Sequence, residues 1–181
     1  VDQIERADYI LPSHIHHDHA QDIERILRKF PKAKVFVGEL SADPLCMQQH
    51  VSSTNIYLMR SGEKYQFDDV IIEGYASRHT ENARGEFRSS YPATDVNETA
   101  MWFGWLEMFN FLVTAGDGTR VLIWGGQTTP DQKYRLRGLY PDIAVMHLSP
   151  KQNPEIFTEL VMSIGPKVVI PHHHDATQPL F

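Results

Sequence analysis

The chain has 181 residues, of which 41% are hydrophobic and 22% charged, with a formal net charge of −6. This length and balance are typical of one globular domain with a core of its own, and they exclude a disordered or fibrous chain. The acidic balance excludes an extended nucleic-acid surface, which needs clustered Lys and Arg, and no apolar run is long enough to span a membrane. We therefore expect a small-molecule partner, with no nucleic acid and no membrane.

Cys46 is the single cysteine of the chain, which excludes an internal disulfide and a metal site built from thiolates alone. A chain with a single cysteine and no internal disulfide fits a reducing compartment, and we therefore expect a cytoplasmic protein. The substrate can be anionic despite the negative net charge, because local charge beside a metal can oppose the global sign. Composition leaves open whether the chain forms a homo-oligomer.

Apolar runs alternate with amphipathic stretches through the first half of the chain. Residues 7–13 predict a short strand, and residues 20–30 predict a helix whose apolar positions recur at helical spacing, namely Ala20, Ile23, Leu27 and Phe30. Further on, the pattern predicts a strand over 33–38, a short helix over 40–50, a strand over 55–59 and a pair of strands over 64–77.

The second half is strongly β-like before it returns to alternating strands and helices. The runs "FNFLVTA" and "TRVLIWG" flank "GDG", which predicts a hairpin because its glycines accept positive φ. A strand over 142–148, a helix over 153–165 and a closing strand in "PKVVIPHHH" follow. Strands alternating with helices predict a layered α/β fold, organised as one domain over 1–181.

Titratable side chains are concentrated in "SHIHHDHA", residues 13–20. In this stretch His14, His16, Asp18 and His19 form the pattern H-x-H-x-D-H. The pattern lies between a predicted strand and a predicted helix, where α/β folds place their sites. A solvated loop does not need so many imidazoles, so this spacing indicates a bound cation.

This motif and most of the chain resemble the metallo-β-lactamase superfamily, which implies an αββα sandwich. The resemblance also implies two metal sites. The first would consist of His14, His16 and His79, the last from "YASRHTEN", and the second of Asp18, His19 and His173, the last from "VVIPHHHD". The alternative for His79 is a surface histidine that binds no metal. The alternatives to His173 as the ligand are His172 and His174. His147 ends a predicted strand on the expected active-site side, where a satisfied core histidine is the favoured interpretation and a metal ligand is the alternative.

In the resembled family several strands precede the metal loop, whereas here only 13 residues precede His14. We therefore expect this chain to lack the N-terminal strands of the sandwich. A second departure is Gly126 in "WGGQTT", where two-metal members carry a bridging aspartate. The second metal should then bind more weakly than the first, and Gly126→Asp should tighten it.

The resemblance implies a metal-dependent hydrolase, because a bound dication lowers the pKa of its water from about 15.7 towards about 7. Asp18 would be the catalytic residue that orients this water or moves its proton. We expect zinc, with Mn²⁺ or Fe²⁺ as alternatives, and an ester, lactone, amide or phosphodiester of a small molecule as substrate. The hairpin pattern and the "GPKVVIP" segment resemble lactonase-like members typified by ascorbate-6-phosphate lactonase.

Two further interpretations accompany the hydrolase. Arg84, Arg88 and Tyr91, in the stretch that leaves directly from His79, could hold a phosphate or carboxylate, although a solvated loop is the favoured interpretation. The alternative class of protein is a non-catalytic binding or structural protein. It would keep the fold, but it would have lost catalytic activity together with the aspartate expected at position 126.

Overall fold

The computed structural model describes residues 1–79, 107–126, 132–148 and 153–173, with the side chains of residues 17, 18 and 48 left aside. Within these ranges the strands form two sheets, and helices lie on their outer faces. The expectations about Arg84, Arg88 and Tyr91, and about the side chain of Asp18, lie outside the described residues.

The first sheet has three parallel strands in the order β1-β2-β3, which are β1 (Tyr9–Ile10), β2 (Lys34–Val37) and β3 (Ile56–Leu58). Its connections carry the helices α1 (His17–Ala20), α2 (Ile23–Lys29) and α3 (Glu39–Gln49). The helix predicted over 20–30 is divided in the structure, because a turn at 21–22 separates α1 from α2.

The second sheet has six strands in the order β4-β5-β6-β7-β8-β9. They are β4 (Lys64–Gln66), β5 (Val70–Ala76), β6 (Phe109–Ala115), β7 (Arg120–Trp124), β8 (Ile143–His147) and β9 (Val168–His172). The pairs from β4 to β7 are antiparallel and the pairs from β7 to β9 are parallel. Helices α4 (Gln132–Arg135) and α5 (Pro154–Ile164) follow β7 and β8.

Local signals account for the predicted hairpin and for the long helix α5. Asp117 accepts a hydrogen bond from the backbone N–H of Thr119 at 2.9 Å, and Gly118 has the positive φ of 87° that the turn requires. Asn153 caps α5 by accepting from two backbone N–H groups of its first turn, and Gly165 ends that helix in the left-handed region. Both elements were predicted from the sequence and are confirmed.

Three apolar clusters separate the layers and show the αββα arrangement. One lies between the first sheet and its helices and includes Ile23, Val35 and Leu45. The second lies between the two sheets and consists of Phe36, Met59, Ile72, Phe109 and Phe111. The third packs the outer face of the second sheet on α5 and includes Leu122, Trp124, Met146, Leu160 and Ile164. The layers are therefore helices, sheet, sheet and helices, the arrangement that the family resemblance implied.

The strand β9 lies at one edge of the larger sheet, and its residues Val168, Val169 and Ile170 are exposed. The backbone N–H of Val168 donates to the carbonyl of Asp142 in the neighbouring segment. Because the N–H and C=O groups of successive residues in a strand point to opposite edges, those of Val169 and the carbonyl of Pro171 point away from the sheet. Proline has no N–H, which makes this edge a poor template for a further strand. Among the helices that the structure describes, none is long and apolar enough to cross a membrane.

Candidate metal centre

Strand direction brings the sequence-predicted ligands to one edge of the sandwich. Since β5 and β7 are both antiparallel to β6, they run the same way, and β8 and β9 are parallel to β7. The carboxyl ends of these four strands therefore meet at one edge. The segments that follow them carry His79, Gly126, His147 and His173.

The loop after β1 reaches the same edge because it is held at two points. Ile15 is 1% exposed and packs in the core beneath the first sheet, so the loop cannot swing out without losing that contact. The backbone N–H of Phe109 donates to the carbonyl of Ser13 at 2.8 Å and ties the loop to the start of β6. His14, between these two points, is buried against the second sheet's edge.

His14, His16 and His79 form a compact trio whose ligand atoms all lie within 4.8 Å of one another. Nε2 of His14 and Nδ1 of His16 are 2.9 Å apart. A tetrahedral zinc with bonds of about 2.0–2.1 Å would separate its nitrogen ligands by about 3.3 Å. The trio therefore fits a single divalent ion after small side-chain adjustments, and three imidazole ligands would leave a fourth position for water or substrate.

Ser13 sets the orientation of the buried imidazole. Its hydroxyl is hydrogen-bonded to Nδ1 of His14 at 2.9 Å, which leaves Nε2 of His14 facing the trio. Partners of this kind fix the ring of a metal-binding histidine and its tautomer. The histidine pair of the H-x-H motif thus has a supporting hydroxyl that no sequence pattern singled out.

A second group of imidazoles lies beside the first trio. The rings of His19 and His173 are stacked with centroids 6.5 Å apart, and the ring of His147 lies 4.5 Å from that of His173. His14 and His19 link the two groups, with ring centroids 4.1 Å apart. The structure therefore brings His79, His19 and His173 together with His14 in one cluster.

Two of the three consecutive histidines near the end of β9 are described, and His172 and His173 differ in what they contact. Nε2 of His172 is hydrogen-bonded to the carbonyl oxygen of Trp124 at 2.8 Å, so this ring nitrogen is engaged with the backbone. His173 has a left-handed backbone with φ of 60°, and its ring stacks on that of His19. These contacts favour His173 over His172 as a ligand. His174 lies outside the described residues.

His147 was expected at the end of a strand on the active-site side, but it was not favoured as part of the site. The favoured interpretation was a satisfied core histidine, and the residue is indeed only 4% exposed. Its ring nevertheless belongs to the histidine cluster, because β8 and β9 are parallel neighbours in which His147 pairs with His172. The signal in the sequence was a histidine at the predicted end of one strand, with histidines at the end of the next.

Burial controls the protonation of the two most enclosed imidazoles. The pKa of His14 is strongly lowered, first by burial and then by the neighbouring His19, His16 and His79. The pKa of His147 is lowered to about 3, again first by burial and then by His173 and His172. Both rings are neutral near pH 7, which is the form that binds a metal ion.

Position 126 is glycine because its surroundings have no room for a side chain. A Cβ placed on Gly126 would lie 2.0 Å from Oγ of Ser77 and 2.7 Å from the carbonyl oxygen of Arg78. The carbonyl of Gly126 also accepts a hydrogen bond from the indole of Trp124 at 2.9 Å, which holds it in place. The expected tightening of a second site by Gly126→Asp stays a prediction, and the substitution would require the side chain of Ser77 and the end of β5 to move.

Comparisons with solved structures found proteins that share this fold. No family model and no curated protein match this sequence. Among solved structures, the chain is similar to Igni18, a metallo hydrolase from the hyperthermophilic archaeon Ignicoccus hospitalis KIN4/I, with 17% identity and a TM-score of 0.61 over 92% of this chain and 63% of that one. It is also similar to the metallo-β-lactamase fold protein YhfI from Bacillus subtilis, with 12% identity and a TM-score of 0.58 over 91% of this chain and 65% of that one.

A third similar structure is CmlA, a diiron β-hydroxylase from Streptomyces venezuelae, with 13% identity and a TM-score of 0.58 over 94% of this chain and 36% of that one. Together these likenesses show that the chain has the metallo-β-lactamase fold. The chain spans less than two thirds of the length of each of these three proteins. The expectation that N-terminal strands are lacking stays a prediction.

The lowered pKa values predict that the metal-free protein loses stability in acid. His14 and His147 stay neutral in the folded chain but take up protons below about pH 6.5 when unfolded, so acidification favours the unfolded state. We expect the free energy of unfolding to fall from pH 7 to pH 5 by up to about 1.4 kcal/mol per pH unit for each buried imidazole. The His147→Gln variant should show a shallower decline than the control His50→Asn, which alters an exposed residue at the end of α3. Equal slopes in denaturant titrations of the two variants would contradict this account.

The lack of space for a side chain at Gly126 leads to a second prediction, which concerns the stability of the protein. Gly126→Ala should lower the stability of the protein by about 1–3 kcal/mol, the usual cost of forcing extra atoms into a packed site. Combining it with Ser77→Gly should recover part of this loss, because the nearest clashing atom is removed while the carbonyl of Arg78 remains. Thermal melts of both variants and of Ser77→Gly alone provide the comparison. A Gly126→Ala protein as stable as the original chain would show that the contact is not real.

Proposed function

We propose that this protein is a metal-dependent hydrolase whose principal metal ion is held by His14, His16 and His79. The observation that carries the proposal is the compact trio of ligand atoms, within 4.8 Å of one another, at the edge where the strands of a metallo-β-lactamase fold end. The donor chemistry favours zinc, because imidazole nitrogens suit this ion and a catalytic zinc site commonly has three protein ligands and one open position. Mn²⁺ and Fe²⁺ are the alternatives.

When bound, the ion would supply a water acidic enough to attack a carbonyl or phosphoryl centre near neutral pH. The chain's own residues supply orientation and proton transfer. Ser13 fixes the ring of His14 through its hydrogen bond to Nδ1, and burial keeps that ring neutral. Asp18 lies in α1 directly before His19, and when only the first ion is bound we assign it the task of orienting the attacking water and accepting its proton.

The proposed substrate is a small molecule with an ester, lactone, amide or phosphodiester bond, which can be anionic. A lactone is the finer choice, and it is supported by the resemblance of the β6–β7 hairpin and of the segment before β9 to lactonase-like proteins. Metal-assisted hydrolysis requires no serine or cysteine nucleophile, which fits a site composed of imidazoles. We place this activity in the cytoplasm, in keeping with the single Cys46.

A second candidate is a non-catalytic protein that keeps the fold and one metal ion. The observation that favours it is Gly126, because crowding by Ser77 leaves no room for a carboxylate at that position. The two candidates agree on metal binding by the trio and differ in turnover.

Metal removal tests the proposal. Ligands separated by more than 60 residues meet only in the folded chain, so a bound ion should stabilise it by about 2.7 kcal/mol when free metal exceeds the dissociation constant about a hundredfold. Chelation should therefore lower the melting temperature and abolish hydrolysis across a panel of lactones, phosphodiesters and thioesters. His16→Ala should reproduce both losses in the presence of zinc, whereas the control His50→Asn should show neither.

Two results would count against the hydrolase. An unchanged melting temperature after demonstrated metal removal would mean that the trio holds no metal in the folded protein. A metal-dependent melting temperature without turnover on any substrate class would favour the non-catalytic protein instead.

A further inference from the structure

One buried polar side chain at this edge has no part in the proposed first site. His147 is only 4% exposed, lies at the end of β8 and places its ring 4.5 Å from that of His173. A histidine can be buried in a core without function, but its neighbours are then usually apolar side chains or hydrogen-bonding backbone. Here the rings of two other histidines, His173 and His172, lie 4.5 and 5.7 Å from its ring.

Position 126 does not provide a ligand to this part of the site. Gly126 has no side chain, and a Cβ there would collide with Ser77 and with the backbone of Arg78. A second ion beside the first trio would therefore lack the shared carboxylate of two-metal relatives and would need another donor from this chain. The nearest candidate by strand order is His147, because β8 lies between β7, which leads to Gly126, and β9, which leads to His173.

We propose that His147 is a ligand of a second metal site, together with His19 and His173, and that it takes the place of the carboxylate excluded at Gly126. This inference rests on the proposed function, because it extends the same metal centre. Asp18, next to His19 in the chain, remains in the predicted set of ligands for this ion.

Among the described residues, the ligand atoms of the first trio all lie within 4.8 Å of one another, whereas those of His19, His147 and His173 do not, so the second group would have to close around an ion. Imidazoles bound to one tetrahedral zinc have ring centroids about 5 Å apart, given metal–nitrogen bonds of about 2.0–2.1 Å. In the first trio the ring centroids of His14, His16 and His79 are 4.6, 4.7 and 4.9 Å apart. In the second group they are 4.5 Å apart for His147 and His173, and 6.5 Å apart for His19 and His173. The second site is thus more open than the first and should bind its ion more weakly.

His172 is a weaker candidate for the same role. Its ring lies 5.7 Å from that of His147, but its Nε2 is held by the carbonyl oxygen of Trp124 at 2.8 Å. A metal bond through that nitrogen would break this hydrogen bond.

The donor set predicts which ions the second site accepts. Imidazole ligands suit Zn²⁺, Co²⁺ and Ni²⁺, whereas Mn²⁺ prefers carboxylate, carbonyl and water oxygens. Replacing a bridging carboxylate by the imidazole of His147 should therefore shift the second site away from Mn²⁺. His147→Asp should keep a second site and move its preference back toward Mn²⁺.

Titration of the metal-free full chain with Co²⁺, followed by the visible absorption of the bound ion, provides the test. The unmodified chain and the control His50→Asn should take up two equivalents, the second more weakly. His147→Gln should keep the first step unchanged and weaken the second at least tenfold, whereas His147→Asp should retain it. Circular dichroism of each metal-free variant checks that it has folded.

A second measurement does not depend on any variant. In the unmodified chain labelled with ¹⁵N-histidine, the ring resonances of His147 should move between one and two equivalents of Zn²⁺, after those of His14 and His16 have moved. Unperturbed His147 resonances in that step, or a folded His147→Gln protein that still binds two ions with unchanged affinities, would overturn the inference.

The failure of this inference can be distinguished from failure of the proposed function. Uptake of a single equivalent by the unmodified chain, even at high Co²⁺, would overturn the role of His147 and leave the first trio and its hydrolase in place. A chain that binds no ion, or in which His16→Ala does not affect the first step, would overturn the proposed function as well.

Discussion

The direction of the strands is the constraint on which the site depends. Because β5, β7, β8 and β9 run the same way, every segment that follows them leaves the sandwich at one edge. The loop after β1 is held against that edge by the burial of Ile15 and by the hydrogen bond between Ser13 and Phe109. Imidazoles that are far apart in the sequence are thereby concentrated in a small volume, where they would be costly to protonate. A cation is the partner that such a cluster of neutral donors suits.

The histidine cluster at this edge has two parts, a closely spaced trio and a second group whose rings are farther apart. The first trio draws two ligands from one short loop, and its third follows β5, so its spacing is set largely by local geometry. The second group draws on three elements, α1, β8 and β9, and its rings are farther apart. Ser77 excludes a side chain at Gly126 and so determines that any second ion would be held mainly by nitrogen. The contact between two small residues thus affects the metal chemistry of the whole centre.

Much of the fold was predictable from sequence because its signals are local. The apolar spacing of Ile23 and Leu27, the turn at Asp117 and the cap at Asn153 each depend on a few neighbouring residues. The H-x-H-x-D-H motif was recognisable for the same reason. His79 and His173 were assigned only through family resemblance, because their meeting depends on strand directions. The proximity of His147 to His173, and the crowding of Gly126 by Ser77, result from pairing between distant segments that no local pattern encodes.

The central claim is that three imidazoles from the loop after β1 and the end of β5 hold one divalent ion. X-ray absorption at the zinc edge, measured on the full chain loaded with one equivalent of zinc, tests it most directly. The account predicts nitrogen and oxygen neighbours at about 2.0–2.1 Å, with the outer-shell scattering of about three imidazole rings. A first shell with sulfur, or outer-shell scattering from fewer than two imidazoles, would contradict it.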